Sequence, residues 1–351
     1  MMTSRERILA AIEFTGPDRC PIHHYIFPGG LWRHGQKLLD LVDQYPDDFG
    51  NEAIVANLKA TKTDDESAED VIEWTDAFGT LWRRLRKYTS GDVVTPAVPD
   101  WDAWASYDFP AMPDADACRQ EAENARAADP DKFLARSAGG FFQAMENIRG
   151  PENCWMDLVE NNEGINELAD LLVERNMIMI DGYARSGVVD CIRLGDDWGS
   201  QDRLLIRPET WREFFKPRYA KMFELARDAG IHVWFHTDGW VFEILEDLIE
   251  IGVTVLNPQH ACMGTRRVAE ICGGRVCIRT DIDRQWVIPT GTPAQVVEAV
   301  REAIEVFGNY DGGVILHGEV GPEVPYENIE AMYGAFYEFG QYPLTWLDSG
   351  G

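Results

Sequence analysis

The stretch that decides the fold is Ile231-His232-Val233-Trp234-Phe235-His236-Thr237-Asp238-Gly239. Its β-branched and aromatic residues predict a buried strand. The apolar run stops where His236 and Asp238 begin, so polar side chains lie at the carboxyl end of the strand. A helix is predicted directly afterwards at 241–249, and a second short strand follows at 253–256. The repeating unit is therefore strand, polar exit, helix and strand.

The same unit recurs along the second half of the chain. Strands are predicted at 190–194, 276–279 and 313–316, with helices at 208–229, 293–307 and 325–339. This alternation predicts a parallel α/β sheet with right-handed crossovers, and the number of units favours a closed (β/α)8 TIM-type barrel over an open doubly wound sheet. The active site of such a barrel lies where the strands end. The polar residues at these exits are Asp196, Asp197, His236, Asp238, Asn257, Gln259, Asp281, Asp283, His317 and Glu319.

The domain organisation follows from the same pattern. Residues 1–351 are predicted to form a single barrel domain, in which 131–345 carry the regular β/α units. Residues 1–130 would hold an N-terminal helix, the first strand at 21–27 and lid-like insertions, including a hairpin around 76–79. Tryptophans concentrate in this part and predict a lid or a homodimer surface, with ordinary packing as the alternative; they are Trp32, Trp74, Trp82, Trp101 and Trp104.

Charge and composition narrow the partners. The chain has 351 residues, 45% of them hydrophobic, and a net charge of −28, so its field repels nucleic acids and anionic membranes. Neither a signal peptide nor a membrane span is predicted, and the cytoplasm is the expected location. The seven cysteines form no C-x-x-C pair, which predicts free buried thiols rather than disulfides or a zinc knuckle.

Two strand exits carry the spacing His-x-acid. His236 with Asp238, and His317 with Glu319, place an imidazole and a carboxylate on one face of a strand. These four residues are the predicted metal ligands, because nitrogen and hard oxygen donors suit zinc, manganese, iron or cobalt. General acid–base catalysis, substrate contact or a structural hydrogen bond remain alternatives for either histidine.

The loop at 195–201 contains two adjacent carboxylates between glycines. Asp196 and Asp197 are predicted catalytic groups together with His236 and His317, with capping of the loop as the alternative for Asp196. The predicted substrate contacts are His23, Trp198, Gln201, Asn257, Gln259 and Asp281. No G-x-S-x-G, Walker or G-x-G-x-x-G motif occurs, so serine hydrolase, P-loop and Rossmann functions lack their signals.

Several segments together resemble the uroporphyrinogen decarboxylase superfamily. They are Thr3-Ser4-Arg5-Glu6-Arg7-Ile8, Pro17-Asp18-Arg19-Cys20-Pro21, the segment 195–201, Phe235-His236-Thr237-Asp238-Gly239, Leu256-Asn257-Pro258-Gln259 and Gly321-Pro322-Glu323-Val324-Pro325-Tyr326-Glu327-Asn328-Ile329. The resemblance spans nearly the whole chain and implies a (β/α)8 barrel. It implies one of two activities: decarboxylation of uroporphyrinogen without a cofactor, or zinc-dependent methyl transfer between a corrinoid and an acceptor.

The chain departs from both patterns. Decarboxylases carry an arginine-rich R-Q-A-G-R segment after the first strand, whereas this chain reads Ile26-Phe27-Pro28-Gly29-Gly30-Leu31-Trp32-Arg33 and lacks that anion clamp. Thiol methyltransferases bind zinc through His-x-Cys and a cysteine four residues before the proline of the last motif. Here His236 matches the histidine, Asp238 replaces the first cysteine, and Gly318 stands at the second position.

These departures favour a methyltransferase with a harder metal site than the thiol-activating enzymes have. The predicted function is demethylation of a small methylated or methoxylated substrate, with zinc or another divalent metal and with a corrinoid (cobalamin) on a partner protein as methyl carrier. A cofactor-free carboxy-lyase that uses Asp196 or Asp197 as acid–base group is the alternative, and a non-catalytic ligand-binding barrel is the third.

Overall fold

The computed structural model describes residues 2–50, 71–85 and 91–348. Ten strands occur in this part of the chain, seven in one sheet and three in another. They are β1 (Ile22–Ile26), β2 (Val71–Thr75), β3 (Leu81–Leu85), β4 (Asp92–Thr95), β5 (Ala135–Ser137), β6 (Cys191–Gly195), β7 (His232–Thr237), β8 (Val255–Pro258), β9 (Cys277–Arg279) and β10 (Val314–Val320).

Helices connect and cover the strands. In chain order they are α1 (Ser4–Ile12), α2 (Pro28–His34), α3 (Gln36–Gln44), α4 (Ala115–Ala128), α5 (Phe142–Arg149), α6 (Pro151–Glu160), α7 (Glu163–Ser186), α8 (Pro208–Thr210), α9 (Lys216–Asp228), α10 (Leu245–Glu250), α11 (His260–Met263), α12 (Thr265–Cys272), α13 (Val287–Thr290), α14 (Pro293–Phe307) and α15 (Tyr326–Phe339). Short 3-10 helices occur at Trp101–Ser106 and Phe242–Ile244. The predicted 208–229 helix contains a π-helical turn, Trp211–Phe215, just before Pro217, which has no N–H to continue the α-helical ladder.

The large sheet confirms the predicted parallel α/β architecture. Its strand order is β1-β10-β9-β8-β7-β6-β5, and all its pairings are parallel. The sheet curls as a half-barrel, so the predicted closed eight-stranded barrel is not confirmed. Among the described residues no eighth strand joins β1 to β5. The backbone N–H of Asp48 donates to Ile22 O at 2.8 Å, which places 47–50 beside β1, and 51–70 lie outside the described residues.

The concave side of the sheet has an apolar lower layer. Its side chains come from five neighbouring strands, and α1 closes the layer from below with Ile8 and Ile12. The strand residues in this layer are Cys191, Trp234, Val255, Cys277 and Ile315. Because side chains alternate in a strand, the residues two positions further on point to the same side, nearer the carboxyl ends. Those positions carry the polar groups of the site.

Ion pairs hold the N-terminal segment against the barrel. Asp48 accepts from Arg7 and Arg19, both at 2.7 Å, and its side chain is fully buried. A capping box at Thr3 begins α1, with the Thr3 hydroxyl accepting from Glu6 N. Arg7 and Asp48 are 41 residues apart in the chain, and their ion pair fixes α1 beneath the sheet.

The predicted hairpin is confirmed, because β2 and β3 pair antiparallel. Trp74 and Trp82 stack on it with ring centroids 5.9 Å apart, and Trp101 packs edge-on against Trp104. Several of the N-terminal tryptophans therefore pack on one another. None of the helices in the described part of the chain is long and apolar enough to cross a bilayer.

Candidate functional site

A cavity of about 650 Å³ opens at the carboxyl ends of the strands. It is lined from β1, β6, β7, β8, β9 and β10, with a further wall from the loop before α5. The polar lining residues are His23, His24, Tyr25, Ser137, Gln143, Arg193, His236, Asn257, Arg279 and Glu319. A larger groove, about 920 Å³, runs along α7 and α9. We place the site in the smaller cavity because the strand ends converge there.

Asp197, His236 and Asp238 form a compact group at the edge of this cavity. One ligand atom from each lies within 4.8 Å of the others. His236 Nε2 is 3.6 Å from Asp197 Oδ1 and 3.4 Å from Asp238 Oδ1. Asp197 is held by Gln143 Nε2, which donates to Oδ2 at 2.6 Å, and by Asp238 N, which donates to Oδ1 at 3.0 Å. Burial, and then the charge of Asp238, raise the pKa of Asp197.

Asn257 determines which nitrogen of His236 carries a proton. The Asn257 amide donates to the carbonyl oxygens of Arg279 and Thr280 at 3.0 and 3.3 Å, so its Oδ1 must be the atom that faces His236. His236 Nδ1 lies 2.8 Å from that oxygen and therefore donates to it. The lone pair of a neutral imidazole then remains on Nε2, which faces the two carboxylates.

This donor set fits a divalent cation. A lone pair on Nε2 and two carboxylates facing one point repel one another unless a cation or a proton lies between them. Tetrahedral zinc with bonds of about 2.0–2.1 Å separates its ligand atoms by roughly 3.4 Å, close to the observed 3.4 and 3.6 Å. Asp238 Oδ1 is buried without a hydrogen-bond partner among the described residues. The Asn257 bond to the far ring nitrogen is the usual support of a metal-binding histidine.

Arg284 connects this group to two more carboxylates. Its guanidinium pairs with Asp238 Oδ2 at 2.5 Å, with Asp281 Oδ2 at 3.3 Å and with Glu319 Oε2. Burial raises the pKa of Asp281 to about 8, although Arg284 opposes the shift. The three acidic partners raise the pKa of Arg284, which stays charged. Glu319 thus reaches the group through Arg284 rather than directly.

Two arginines also line the cavity. Arg279 on β9 is buried; its Nε donates to His23 Nδ1 at 3.0 Å and its Nη1 donates to Asn257 Oδ1. Arg193 on β6 is exposed in the cavity, and its side chain has no hydrogen-bond or ion-pair partner within 2–50, 71–85 and 91–348. Both arginines, and Arg284, are absent from the sequence-based site. Arg193 and Arg279 are the inward residues two positions after Cys191 and Cys277, so strand alternation applied to the predicted strands indicates both of them.

Asp196 and Trp198 lie behind the cavity. Asp196 is fully buried and accepts from Phe141 N and Gln143 N at 3.2 and 2.8 Å, and from the Tyr219 hydroxyl at 2.5 Å. Burial raises its pKa to about 6. Its bonds fix the start of α5, so Asp196 orients a neighbouring segment. Trp198 is also fully buried and stacks on Phe142 with centroids 4.0 Å apart.

The structure brings together only part of the remaining predicted site. His317 is buried on β10, three strands from β7 in the sheet order, with Nδ1 2.8 Å from Thr280 O. It lies beside His23, with ring centroids 6.0 Å apart, and outside the three-residue group. Gln201 donates to Gln259 at 3.3 Å, and both line a separate small pocket of about 80 Å³ with Asp281.

Comparisons with known proteins identify relatives. Residues 122–339 match the uroporphyrinogen decarboxylase (URO-D) family model, which is more than half of the chain. A solved methyltransferase from Methanosarcina mazei is 19% identical over 97% of this chain and 99% of that chain, with a TM-score of 0.65. A B12-independent methionine synthase from Shewanella sp. W3-18-1 is 8% identical over 77% of this chain and 73% of its own, with a TM-score of 0.41. No curated protein matches the sequence.

Proposed function

The chain belongs to the uroporphyrinogen decarboxylase family, and on that premise we propose that it is a methyltransferase. The substrate would be a small methylated or methoxylated compound, and the acceptor a corrinoid carried by a partner protein. The full-length structural neighbour is named as a methyltransferase and supports this choice between the family's activities. The observation that carries the proposal is the group formed by Asp197, His236 and Asp238.

These three side chains would hold a divalent metal such as zinc. A metal bound there would act as a Lewis acid toward the heteroatom that loses the methyl group. One imidazole nitrogen and two carboxylate oxygens are harder donors than thiolates, and they suit an ether oxygen or an amine better than a thiol. This donor set therefore points to demethylation of an oxygen or nitrogen compound.

The surrounding residues have supporting roles in this proposal. Asn257 fixes the His236 tautomer through the 2.8 Å bond to Nδ1, so that Nε2 is free to bind. Gln143 and the Asp238 N–H orient Asp197. Arg284 pairs with the outer oxygen of Asp238 and leaves Oδ1 for the ligand position. The cavity gives a small substrate access to this edge, since its volume of about 650 Å³ lies in the usual range for ligand pockets.

The decisive measurement is metal content of the purified full chain, followed by methyl transfer to cob(I)alamin monitored by its absorbance. We expect one metal per chain in the parent protein and loss of metal in His236→Gln. His232→Gln is the matched control, because His232 lies at the other end of the same strand and pairs with Glu13 at 3.3 Å. It should keep both metal and activity.

Two results would contradict the proposal. A parent protein without stoichiometric metal, or a His236→Gln variant that keeps it, removes the metal role. Release of CO2 from a carboxylated substrate without any metal dependence would instead identify a cofactor-free carboxy-lyase.

A further inference from the structure

The two arginines of the cavity wall form, with His23, a surface that we call the arginine face. Arg193 projects from β6, Arg279 from β9 and His23 from β1, and all three line the same cavity. No carboxylate among the described residues forms an ion pair with Arg193 or Arg279. In a chain with 60 acidic and 32 basic residues, two guanidinium groups that line one cavity without an ion-pair partner among the described residues are an unusual arrangement.

The arginine face offers hydrogen-bond donors and no acceptor. Arg279 donates from Nε to His23 and from Nη1 to Asn257, and its Nη2 has no partner among the described residues. Because His23 Nδ1 accepts from Arg279, the His23 proton lies on Nε2. Burial, with the charges of Arg279 and Arg193, holds the pKa of His23 well below its ordinary value, so this ring is a neutral donor.

The two positive charges act on each other across the cavity. Burial and the charge of Arg193 lower the pKa of Arg279 to about 9, while Asp281 and Glu319 oppose the shift. Arg279 is therefore charged at neutral pH. An anion bound at this face would relieve the repulsion and supply the missing acceptor. Planar guanidinium groups match a carboxylate, whose two oxygens accept from a fork of N–H groups.

We propose that the substrate is an organic acid whose carboxylate binds to Arg193 and Arg279, an inference that rests on the function proposed above. Asn257 sets the size of such a molecule. Its Oδ1 accepts from both Arg279 and His236, so the two donor nitrogens lie within about 6 Å of each other. A small methoxylated acid spans that distance, with its carboxylate on the arginine face and its methoxy oxygen near His236.

The cavity walls fit the rest of such a molecule. Tyr25, Phe27 and Trp234 line the same cavity, with Trp234 in the apolar layer below the arginine face. Arg279 lies over the Trp234 ring, with its guanidinium carbon 5.4 Å from the centroid. Aromatic walls with one charged anchor are the common design of small-molecule sites. The substrate class is therefore a small carboxylic acid with an apolar or aromatic body.

The experiment measures the unfolding temperature and Kd of the full chain with methoxyacetate and benzoate, each compared with its uncharged amide at constant ionic strength. The acids should stabilise the parent protein, and the amides should bind at least roughly tenfold more weakly, since they lose a charge-assisted fork. Arg193→Gln should lose a similar factor for the acids. Because Arg193 is exposed and without a described partner, this variant should fold normally, whereas Arg279→Gln changes a buried residue and is the secondary variant.

Arg266→Gln is the matched control, because Arg266 pairs with Glu302 and Glu305 on the surface of α14. It should bind the acids like the parent protein. Equal binding of acids and amides, unchanged acid binding in Arg193→Gln, or stabilisation by inorganic phosphate alone would overturn the inference.

Two arms separate this inference from the proposed function. His236→Gln should keep most of its affinity for the acids, because the carboxylate contacts come from Arg193 and Arg279 and not from His236; a complete loss would assign the acids to the Asp197–His236–Asp238 group and overturn the arginine face. If the acids bind as expected but no methyl transfer occurs with cob(I)alamin, the proposed function fails and the carboxylate site stands. If methoxylated acids are demethylated equally well by Arg193→Gln and by the parent protein, the proposed function stands and only the carboxylate site fails.

Discussion

The carboxyl group of Glu146 carries a quantitative prediction about stability. Glu146 lies on α5, and burial raises its pKa from 4.5 to about 7, with Asp196 and Asp197 adding to the shift. The indole N–H of Trp155 donates to its Oε1 at 2.6 Å and opposes the shift. The folded protein therefore holds this proton more tightly than the unfolded chain does.

The sign of the linkage follows from that difference. Below pH 4.5 both states are protonated, and Glu146 contributes no pH dependence. Between pH 4.5 and 7 the folded state binds more protons, so the free energy of unfolding falls as pH rises, and the loss is complete above pH 7. A shift of this size corresponds to about 3 kcal/mol, which we reduce to about 2 kcal/mol because the side chain is not fully buried.

Glu146→Gln should remove this loss, because an amide oxygen can still accept from Trp155 but carries no charge. At pH 8.5 we expect the variant to be about 2 kcal/mol more stable than the parent, or about 3 °C in unfolding temperature for a chain of this length. At pH 4.5 the two proteins should be equally stable. Thermal and urea unfolding at both pH values measure the difference.

Glu224→Gln is the control, because Glu224 is an exposed residue within α9. Its free energy of unfolding should follow the parent at both pH values. A Glu146→Gln variant that is destabilised at pH 8.5, or that gains equally at both pH values, would refute the reasoning.

Two further substitutions address the geometry of the metal group. Asn257→Ala removes the acceptor that fixes the imidazole tautomer and should lower metal affinity about 10- to 100-fold, measured by competition with a chelator. Gly239→Ala would place a Cβ 2.0 Å from Gly199 O at a φ of +78°, and should cost several kcal/mol in urea unfolding. Gly230→Ala, with a φ of +73° and open space around its Cβ, isolates the backbone strain and should cost only about 1 kcal/mol.

Strand periodicity predicts that the polar side chains at the strand ends converge at one end of the sheet. The exits at Asp197, His236 and Asn257 meet at one mouth because parallel strands with helical crossovers place their carboxyl ends on one side. Sequence spacing could not tell which exits are neighbours. The shared spacing His-x-acid predicts that His317 and His236 bind the same metal, yet β10 lies three strands from β7 in the sheet. Glu319 is connected to the Asp197–His236–Asp238 group only through Arg284. Arg284 lies in the loop after β9, and no local sequence pattern indicates that it reaches this group.

The arginines were missed for a different reason. Arg193 and Arg279 lie in strands with an otherwise apolar sequence, whereas most predicted site residues lie at or after the strand ends. The inner face of the sheet changes from apolar to polar two residues after the lower layer, so the chemistry begins within the strands. The absence of an R-Q-A-G-R segment concerns only the residues that follow β1. It says nothing about guanidinium groups that the strands supply.

The charges of the cavity bear on which acids could enter it. Arg193 and Arg279 can pair with one carboxylate, while Asp197, Asp238 and Glu319 lie at or near the same cavity. A tetrapyrrole with many carboxylates would satisfy the arginine face with one group and bring the others against these acids, in a chain of net charge −28. A monoacid gains the attraction of its one carboxylate to Arg193 and Arg279. It avoids the repulsion, because its other end is uncharged where it faces the acidic residues. The same charge separation that favours a small methoxylated acid therefore opposes uroporphyrinogen.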